Sequence, residues 1–526
     1  MRSTSLALVL ALAGCGSGCH GDRRKVLEPS SVTASAPASA AAASAPVIAP
    51  SGQGGTSAAI AAGPEFLDAP GDSLDGLFTG LAAAERERAD VPRAAGTAPP
   101  SIGHPANGPD PGRVLWLFFG DSHTAGDSMT SRLRVTLQHK FGDAGRGLVA
   151  AGKPNAKHYY QRDVHYGASG AWKAAVGGKK GDAEPFGIAG LRVFGQSKGA
   201  QLWVETCGEC RAGASASQLE ILYYAAPDHG TLKYRVDDQP WQALATRTTP
   251  IEPPHPARQV ISVSDAPHRL TLEHAGGGVV DLFGVVLERA RPGVIVDSLG
   301  VVGRRLGSLR SWDWSVIGEQ LASRDPRLVV LQYGTNEADD PDLDLEAMAR
   351  YFDETILRIR AAAPTSSILI LGPPDLATRE AGKACDRMKG KAKRGRTREP
   401  EPDAPVIPEC EWHTPHVLTE IISVEHAAAA RNHVAFFDTF AAMGGADHMH
   451  PWVIATPKVA FNDHVHLTNL GYQQWADALS TAVLAAYDRW RAGHHLPPSA
   501  APPALSPEPP PRGAPPDDVP PVTTPP

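Results

Sequence analysis

Apolar residues in the middle of the chain form short unbroken runs, and stretches with helical spacing separate them. The first run is Val-Leu-Trp-Leu-Phe-Phe at 114–119, directly ahead of Gly-Asp-Ser. The later runs and the helical stretches between them follow in the order 294–296, 316–322, 328–332, 345–363 and 367–371. Runs without polar positions are typical of strands buried on both faces of a parallel sheet. Their alternation with helices predicts an α/β layer fold with a parallel sheet.

Three further stretches, at 73–88, 129–141 and 469–491, have the apolar spacing of an amphipathic helix. The first lies ahead of the 114–119 strand, and the second follows Gly-Asp-Ser. The third ends the α/β pattern.

Between 184 and 290 the sequence pattern changes to short segments of alternating apolar and polar residues, separated by turn residues. These segments lie at 201–205, 219–224, 232–236, 259–264, 269–273 and 279–287. Such spacing is typical of an antiparallel β-sandwich. The sequence therefore predicts a β domain inserted between two parts of one α/β domain, at 64–183 and 291–491.

Composition limits the folded region to these segments. The 48 prolines are concentrated near the two ends of the chain. The spacer at 15–63 and the tail at 492–526 are too poor in large apolar residues to offset the entropy of ordering, so we expect both to be disordered. A net charge of -7 with both signs interspersed gives no basic face for phosphates, so nucleic acid is not an expected partner. The basic residues at 389–398 are interpreted as a solvated loop.

The N-terminus predicts export. Arg2 and the apolar run at 6–13 form a signal too short to span a bilayer. The string Leu-Ala-Gly-Cys ending at Cys15 resembles a bacterial lipobox, which implies a signal peptide at 1–14 and lipidation of Cys15. The protein would then be anchored in the bacterial cell envelope, at the periplasmic side or the cell surface. The alternative is an ordinary cleaved signal with an unrelated cysteine.

Four cysteines lie in the region predicted to fold. An oxidising envelope permits disulfides, and we favour Cys207 with Cys210 and Cys385 with Cys410. Cys-Gly-Glu-Cys is also compatible with a metal or redox pair. No second pair or suitably spaced histidines accompany it, so no metal is expected.

Ser122 has a position suited to a nucleophile. A strand, a tight turn and a helix lift its hydroxyl to the sheet edge, although Asp and Ser are also ordinary helix caps. The candidate base is His466 near the final helix, with Asp463 three residues earlier to orient it. Because His464 lies in the same segment, metal binding or a solvated loop is the alternative.

Two later turns offer donors for an oxyanion. Gly303 follows the strand at 294–296, and a glycine lets the backbone amide approach closely. Asn336 follows the strand at 328–332 within Gly-Thr-Asn-Glu, and its carboxamide can donate a second hydrogen bond.

The ordered blocks Gly-Asp-Ser, Gly, Gly-Thr-Asn-Glu and Asp-x-Val-His resemble those of SGNH, or GDSL-type, hydrolases. The resemblance implies a three-layer, flavodoxin-like parallel sheet and no cofactor. It implies that Ser122 is the nucleophile and first oxyanion amide, Gly303 the second amide, Asn336 the side-chain donor, and Asp463 with His466 the base pair. Two departures are Glu337, where many members have Asp, and His123, where Leu is common; neither removes a catalytic atom.

Gly-Asp-Ser-His with an inserted β-sandwich is similar to bacterial peptidoglycan O-acetylesterases, whose insert resembles a carbohydrate-binding module. This implies removal of O-acetyl groups from envelope polysaccharide, peptidoglycan first, through an acyl-enzyme on Ser122. One alternative is an O-acetyltransferase that uses the same triad. Another is a noncatalytic glycan-binding lipoprotein in which the sandwich binds.

Several further side chains have two interpretations. His123 is either a substrate contact or supporting residue, or a partly exposed turn residue. Five aromatic residues form either a sugar-stacking platform or, for most of them, part of the sandwich core. They are Trp172, Trp203, Tyr223, Tyr224 and Trp241.

Overall fold

The structure is a computed structural model that describes residues 59–90, 112–152, 160–178, 184–379 and 410–499. The predicted signal, Cys15, Cys385 and the basic segment at 389–398 lie outside the described residues, as do most of the predicted spacer and tail. None of the described helices is long and apolar enough to cross a membrane.

Strands and helices alternate at both ends of the described chain, and strands alone fill its middle. The strands, in chain order, are β1 (Leu67–Asp68), β2 (Arg113–Gly120), β3 (Gly145–Val149), β4 (Val164–Ser169), β5 (Trp172–Val176), β6 (Leu191–Gly195), β7 (Gln201–Thr206), β8 (Ala216–Ala225), β9 (Thr231–Val236), β10 (Gln242–Ala245), β11 (His255–Ala266), β12 (Arg269–Gly276), β13 (Val280–Glu288), β14 (Gly293–Gly300), β15 (Leu328–Gln332), β16 (Ser367–Leu371) and β17 (Ala435–Phe437). The helices are α1 (Asp75–Asp90), α2 (Ser122–Ala125), α3 (Ser128–Phe141), α4 (Trp314–Arg324), α5 (Leu345–Ala362), α6 (His416–Arg431), α7 (Thr439–Ala442), α8 (Met449–Ile454) and α9 (Asn469–Gly493).

The main sheet has the strand order β1–β17–β16–β15–β2–β14, and all its pairs except β1 with β17 are parallel. Strand β2 is apolar on both faces because helices cover both sides. Its residues Leu115, Leu117 and Phe119 join the core that includes α4, α5 and α6. The alternate residues Val114, Trp116 and Phe118 join the core that includes α1, α3 and α9. The predicted three-layer α/β fold with an inserted antiparallel β domain is confirmed.

The inserted domain consists of two antiparallel sheets. Their strand orders are β10–β9–β12–β7–β4 and β11–β8–β13–β6–β5, and β3 pairs with β13. Strands β4 and β5 begin at Val164 and Trp172, so the sandwich starts earlier in the chain than the predicted boundary at 184. The pattern did not reveal β4 because it runs through Gly167, Ala168 and Ser169, which provide no apolar alternation.

A buried cluster of four charges joins the sandwich to the main sheet. Glu288 at the end of β13 lies 2.9 Å from both Nε and Nη2 of Arg113 on β2. Arg324 of α4 contacts the same carboxylate and lies 2.7 Å from Oδ2 of Asp297 on β14. Burial alone raises the pKa of Glu288, but the two guanidinium groups outweigh it and hold the pKa well below its usual value. The cluster therefore depends on all four charges being present.

The substitution Arg324→Met tests that dependence. It leaves Asp297 buried with only the Leu148 amide, 2.7 Å from Oδ1, as a polar partner among the hydrogen bonds described for it. We expect the free energy of unfolding to fall by about 3–5 kcal/mol in a urea titration. Arg431→Met, which removes an exposed ion pair with Asp353, is the control and should have a much smaller effect. Equal effects of the two substitutions would contradict the role of the cluster.

Candidate active site

Three parallel strands end at the same level on one edge of the main sheet. Gly120 at the end of β2 pairs with Gly300 of β14 and with Gln332 of β15. The Asp121 amide continues the ladder to the Gln332 carbonyl at 3.2 Å, and the Val301 amide to the Gly120 carbonyl at 2.9 Å. The turns that follow these strands are therefore adjacent in space.

Ser122 is the first residue of α2, in the turn that follows β2. The Asp121 carboxylate caps this helix by accepting a hydrogen bond from the His123 amide at 2.9 Å. The turn lies directly on β14, since a Cβ at Gly300 would be 2.2 Å from the Ala125 nitrogen. Glycine at position 300 is thus required for this close approach, which holds Ser122 in a site where it is only 3% exposed.

The segment ahead of α9 brings an imidazole to the serine. Nε2 of His466 lies 2.8 Å from Ser122 Oγ, and Nδ1 lies 2.8 Å from Oδ2 of Asp463. Oδ1 of Asp463 accepts the amides of Val465 and His466, both at 3.0 Å. Burial raises the pKa of Asp463, but the hydrogen bonds from His466 and the charge interaction with it hold the pKa below its usual value.

These contacts determine the direction of each proton. An ionised Asp463 can only accept a hydrogen bond, so Nδ1 of His466 carries the hydrogen. Nε2 then has its lone pair toward Ser122 and accepts the hydroxyl proton. The arrangement is that of a nucleophile, a general base and an orienting carboxylate.

The two predicted oxyanion donors lie on the neighbouring turns. Gly303 is exposed and has a φ of +71°. Apart from its chain neighbours, no described residue has an atom within 4 Å of the position that a Cβ would take. Asn336 is partly buried, and its Nδ2 donates to the carbonyl of Arg304 at 3.1 Å. A carboxamide has two such hydrogens, so this bond orients the group and leaves the second hydrogen for another acceptor.

His123 lies inside the protein. Its side chain is fully buried, and Nδ1 is 2.9 Å from the Tyr472 hydroxyl. Its ring centroid lies 5.2 Å from that of His466 and 5.6 Å from that of Trp475. Burial lowers the pKa of His123 well below its usual value, and the nearby His466 lowers it further. His123 is therefore a neutral residue packed behind the catalytic candidates. This position fits a supporting role, and the alternative of a partly exposed turn residue is wrong.

Three buried carboxyl groups surround the turns, and of these only Glu337 was named from the sequence. Burial raises the pKa of Asp121 to about 8, and the charge of Glu337 adds to that effect. Burial also raises the pKa of Glu337, against hydrogen bonds from the Leu306 and Gly334 amides. Glu425 on α6 is fully buried, and neither of its carboxyl oxygens has a hydrogen-bond partner in the described part of the chain. Burial raises its pKa well above the usual value, and the charges of Glu337, Asp121 and Asp438 add to that effect.

The aromatic residues named from the sequence do not form one platform. Tyr223 belongs to the sandwich core, and Trp172 and Tyr224 pack against it. Trp203 and Trp241 are partly exposed, but a guanidinium covers a ring face of each. The Cζ atom of Arg269 is 4.1 Å from the centroid of Trp203, and that of Arg235 is 4.8 Å from the centroid of Trp241.

Two of the cysteines form the predicted local bridge. Cys207 and Cys210 are disulfide-bonded, with their Cα atoms 5.3 Å apart. The ligand atoms of His165, Cys207 and Glu209 lie within 4.8 Å of one another. Because the Cys207 sulfur is part of the disulfide, it is not a thiolate ligand in this group. Cys410 is also disulfide-bonded, and its predicted partner Cys385 lies outside the described residues.

Comparison with known proteins agrees with this geometry. Residues 267–474 match the GDSL-like Lipase/Acylhydrolase family. This part of the chain is similar to GDSL-like acylhydrolases. The matched part contains Gly303, Asn336, Asp463 and His466, whereas Ser122 lies upstream because the β-sandwich separates it from the other blocks.

One solved structure shares the fold over most of this chain, and two others are similar with low TM-scores. A peptidoglycan O-acetylesterase is similar with 22% sequence identity and a TM-score of 0.58, over 80% of this chain and 99% of that chain. An acetyl xylan esterase matches with 13% identity and a TM-score of 0.24, over 36% of this chain and 80% of that chain. A family two carbohydrate esterase from Cellvibrio japonicus matches with 10% identity and a TM-score of 0.21, over 62% of this chain and 98% of that chain. No curated protein matches.

The buried Glu425 makes stability depend on pH. The folded protein keeps this proton to a higher pH than the unfolded chain, in which a glutamate ionises above about pH 4. Stability should therefore fall as the pH rises from about 4 towards the raised pKa. Glu425→Gln has no proton to lose, so its stability relative to the unsubstituted protein should increase between about pH 4 and pH 8 in thermal melts.

The control for this prediction is Glu420→Gln, an exposed position on the same helix. It should change the melting temperature little at either pH. A difference between Glu425→Gln and the unsubstituted protein that does not vary with pH would contradict a protonated Glu425.

Proposed function

We propose that this SGNH-type esterase removes O-acetyl groups from cell-envelope polysaccharide, first of all peptidoglycan, through an acetyl-enzyme on Ser122. The observation that carries the proposal is the continuous relay from Ser122 Oγ through His466 to Asp463, with both hydrogen bonds at 2.8 Å. The fold shared with a peptidoglycan O-acetylesterase over most of both chains supports the substrate class.

Acylation begins at the Ser122 hydroxyl. Its oxygen attacks the acetyl carbonyl carbon while its proton passes to Nε2 of His466. The negative charge that forms on the carbonyl oxygen is held by the amides of Ser122 and Gly303 and by Nδ2 of Asn336. As the intermediate collapses, His466 returns the proton to the departing sugar oxygen, and the acetyl group stays on Ser122.

Deacylation repeats these steps with water. His466 takes a proton from the water molecule, whose oxygen attacks the acetyl-serine carbonyl. The second intermediate releases acetate, and His466 returns the proton to Ser122 Oγ. Asp463 stays ionised throughout, consistent with its lowered pKa, and stabilises the imidazolium that forms twice in the cycle.

The N-terminal sequence supports a location at the cell envelope. An exported chain acylated at Cys15 is held at the membrane by its acyl chains, with the spacer at 15–63 setting how far the esterase reaches into the envelope. Growth with an alkynyl fatty acid should label the unsubstituted protein and leave Cys15→Ala unlabelled. Equal labelling of both would exclude this anchor.

Acetate release tests the proposed reaction. Incubation with O-acetylated peptidoglycan should release acetate, and Ser122→Ala should lower kcat by about 10⁴-fold or more. The control is Ser423→Ala, since the Ser423 hydroxyl lies on the exposed face of α6 and contacts the Thr419 carbonyl. Equal rates for Ser122→Ala and the unsubstituted protein would exclude the mechanism. Acetylated sugar in place of acetate, when a glycan acceptor is added, would identify a transferase.

A further inference from the structure

One carboxylate connects the two turns that carry the oxyanion donors. Oε1 of Glu337 accepts the Leu306 amide at 2.8 Å, and Oε2 accepts the Gly334 amide at 3.0 Å. Leu306 belongs to the turn after β14, three residues beyond Gly303, and Gly334 belongs to the turn after β15, two residues before Asn336. Both hydrogen bonds are buried, and Glu337 is 2% exposed.

Further contacts join the same two turns. Besides the bond from Asn336 Nδ2 to the Arg304 carbonyl, Nε of Arg305 donates to the Asn336 carbonyl at 3.0 Å. The Arg305 guanidinium also pairs with Asp340. Each oxyanion donor is therefore fixed relative to the other by bonds that cross from one turn to the other, while the sheet fixes only the strand ends.

Packing provides no such support at Gly303. The residue is exposed, and among the described residues only its chain neighbours come within 4 Å of the place where its side chain would be. The position of its amide must then come from the anchors of its turn, among which the Leu306 amide is held by Glu337. Glycine also has more backbone freedom than other residues, so a loose turn would let that amide leave the site.

We propose that Glu337 is a positioning residue for the oxyanion hole, holding the Gly303 turn and the Asn336 turn at the separation that the tetrahedral intermediate requires. The proposal rests on the proposed acyl transfer at Ser122. Donors in a fixed arrangement stabilise charge that exists only in the intermediate, so their displacement lowers kcat and leaves substrate binding largely unchanged.

Both carboxyl oxygens and the full length of the Glu337 side chain are needed to accept the two amides. Aspartate at position 337 is shorter by one methylene group and cannot reach both amides. Glutamine has the right length, but its NH₂ group would face an amide N–H that needs an acceptor. With either aspartate or glutamine at position 337, only one of the hydrogen bonds to the Leu306 and Gly334 amides is retained.

The experiment measures hydrolysis of 4-nitrophenyl acetate by the full chain and by Glu337→Gln and Glu337→Asp. We expect kcat to fall about 10–100-fold in both variants, with KM changed by less than about threefold. Phenylboronic acid forms a tetrahedral adduct with an activated serine, so its inhibition constant should weaken by the same factor as kcat/KM. Binding of the planar ester should not weaken by that factor.

Two further variants separate positioning from a loss of stability. Leu81→Ala truncates a buried side chain of α1, in the core on the other side of the main sheet from Leu306, and should lower the melting temperature without changing kcat. Arg305→Met breaks the half-exposed contact to the Asn336 carbonyl and should lower kcat less than the Glu337 variants do. It tests the same coupling even if the Glu337 variants do not fold.

Two results would overturn the proposal. In one, folded Glu337 variants keep the kcat and boronic acid affinity of the unsubstituted protein. In the other, the Glu337 variants do not fold and Arg305→Met leaves kcat unchanged. Failure of the unsubstituted protein itself to hydrolyse the ester would instead reject acyl transfer at Ser122, and the positioning role with it.

Discussion

The site depends on the register of three parallel strands. Gly120, Gly300 and Gln332 stand side by side at the ends of β2, β14 and β15, so three turns that are distant in sequence begin within one ladder of hydrogen bonds. A shift of one strand by a single residue would exchange its two faces and move its turn away from the others. Because both faces of β2 are apolar, the close packing of its side chains in the two cores opposes such a shift.

The turns and loops that follow these strands complete the positioning of the site residues. Glycines at 120 and 300 allow the Ser122 turn to lie against the neighbouring strand, and the tight segment at 461–466 brings His466 to the serine hydroxyl. Glu337 then connects the turns on the other side. SGNH-type hydrolases often have aspartate at this position. The glutamate of this chain accepts a hydrogen bond from an amide in each of the two turns.

The apolar periodicity of the sequence predicted those helices and strands whose structure depends mainly on their own local sequence. The strands at 328–332 and 367–371 have the predicted bounds, because a fully apolar run between helices has few alternatives. Strand β17 has only three residues and was not predicted, and neither was α6, whose run of four alanines gives a weak pattern. The start of the sandwich at β4 is determined by pairing with β7, which a local pattern does not contain. The contacts of His123 with Tyr472 and the burial of Glu425 likewise depend on residues far away in the chain.

The central claim is that His466 activates Ser122, and covalent labelling tests it most directly. After reaction with a fluorophosphonate, peptide mass mapping of the full chain should locate the adduct on Ser122, and His466→Ala should be labelled far more slowly. An adduct on another residue, or equal labelling of His466→Ala and the unsubstituted protein, would contradict the account.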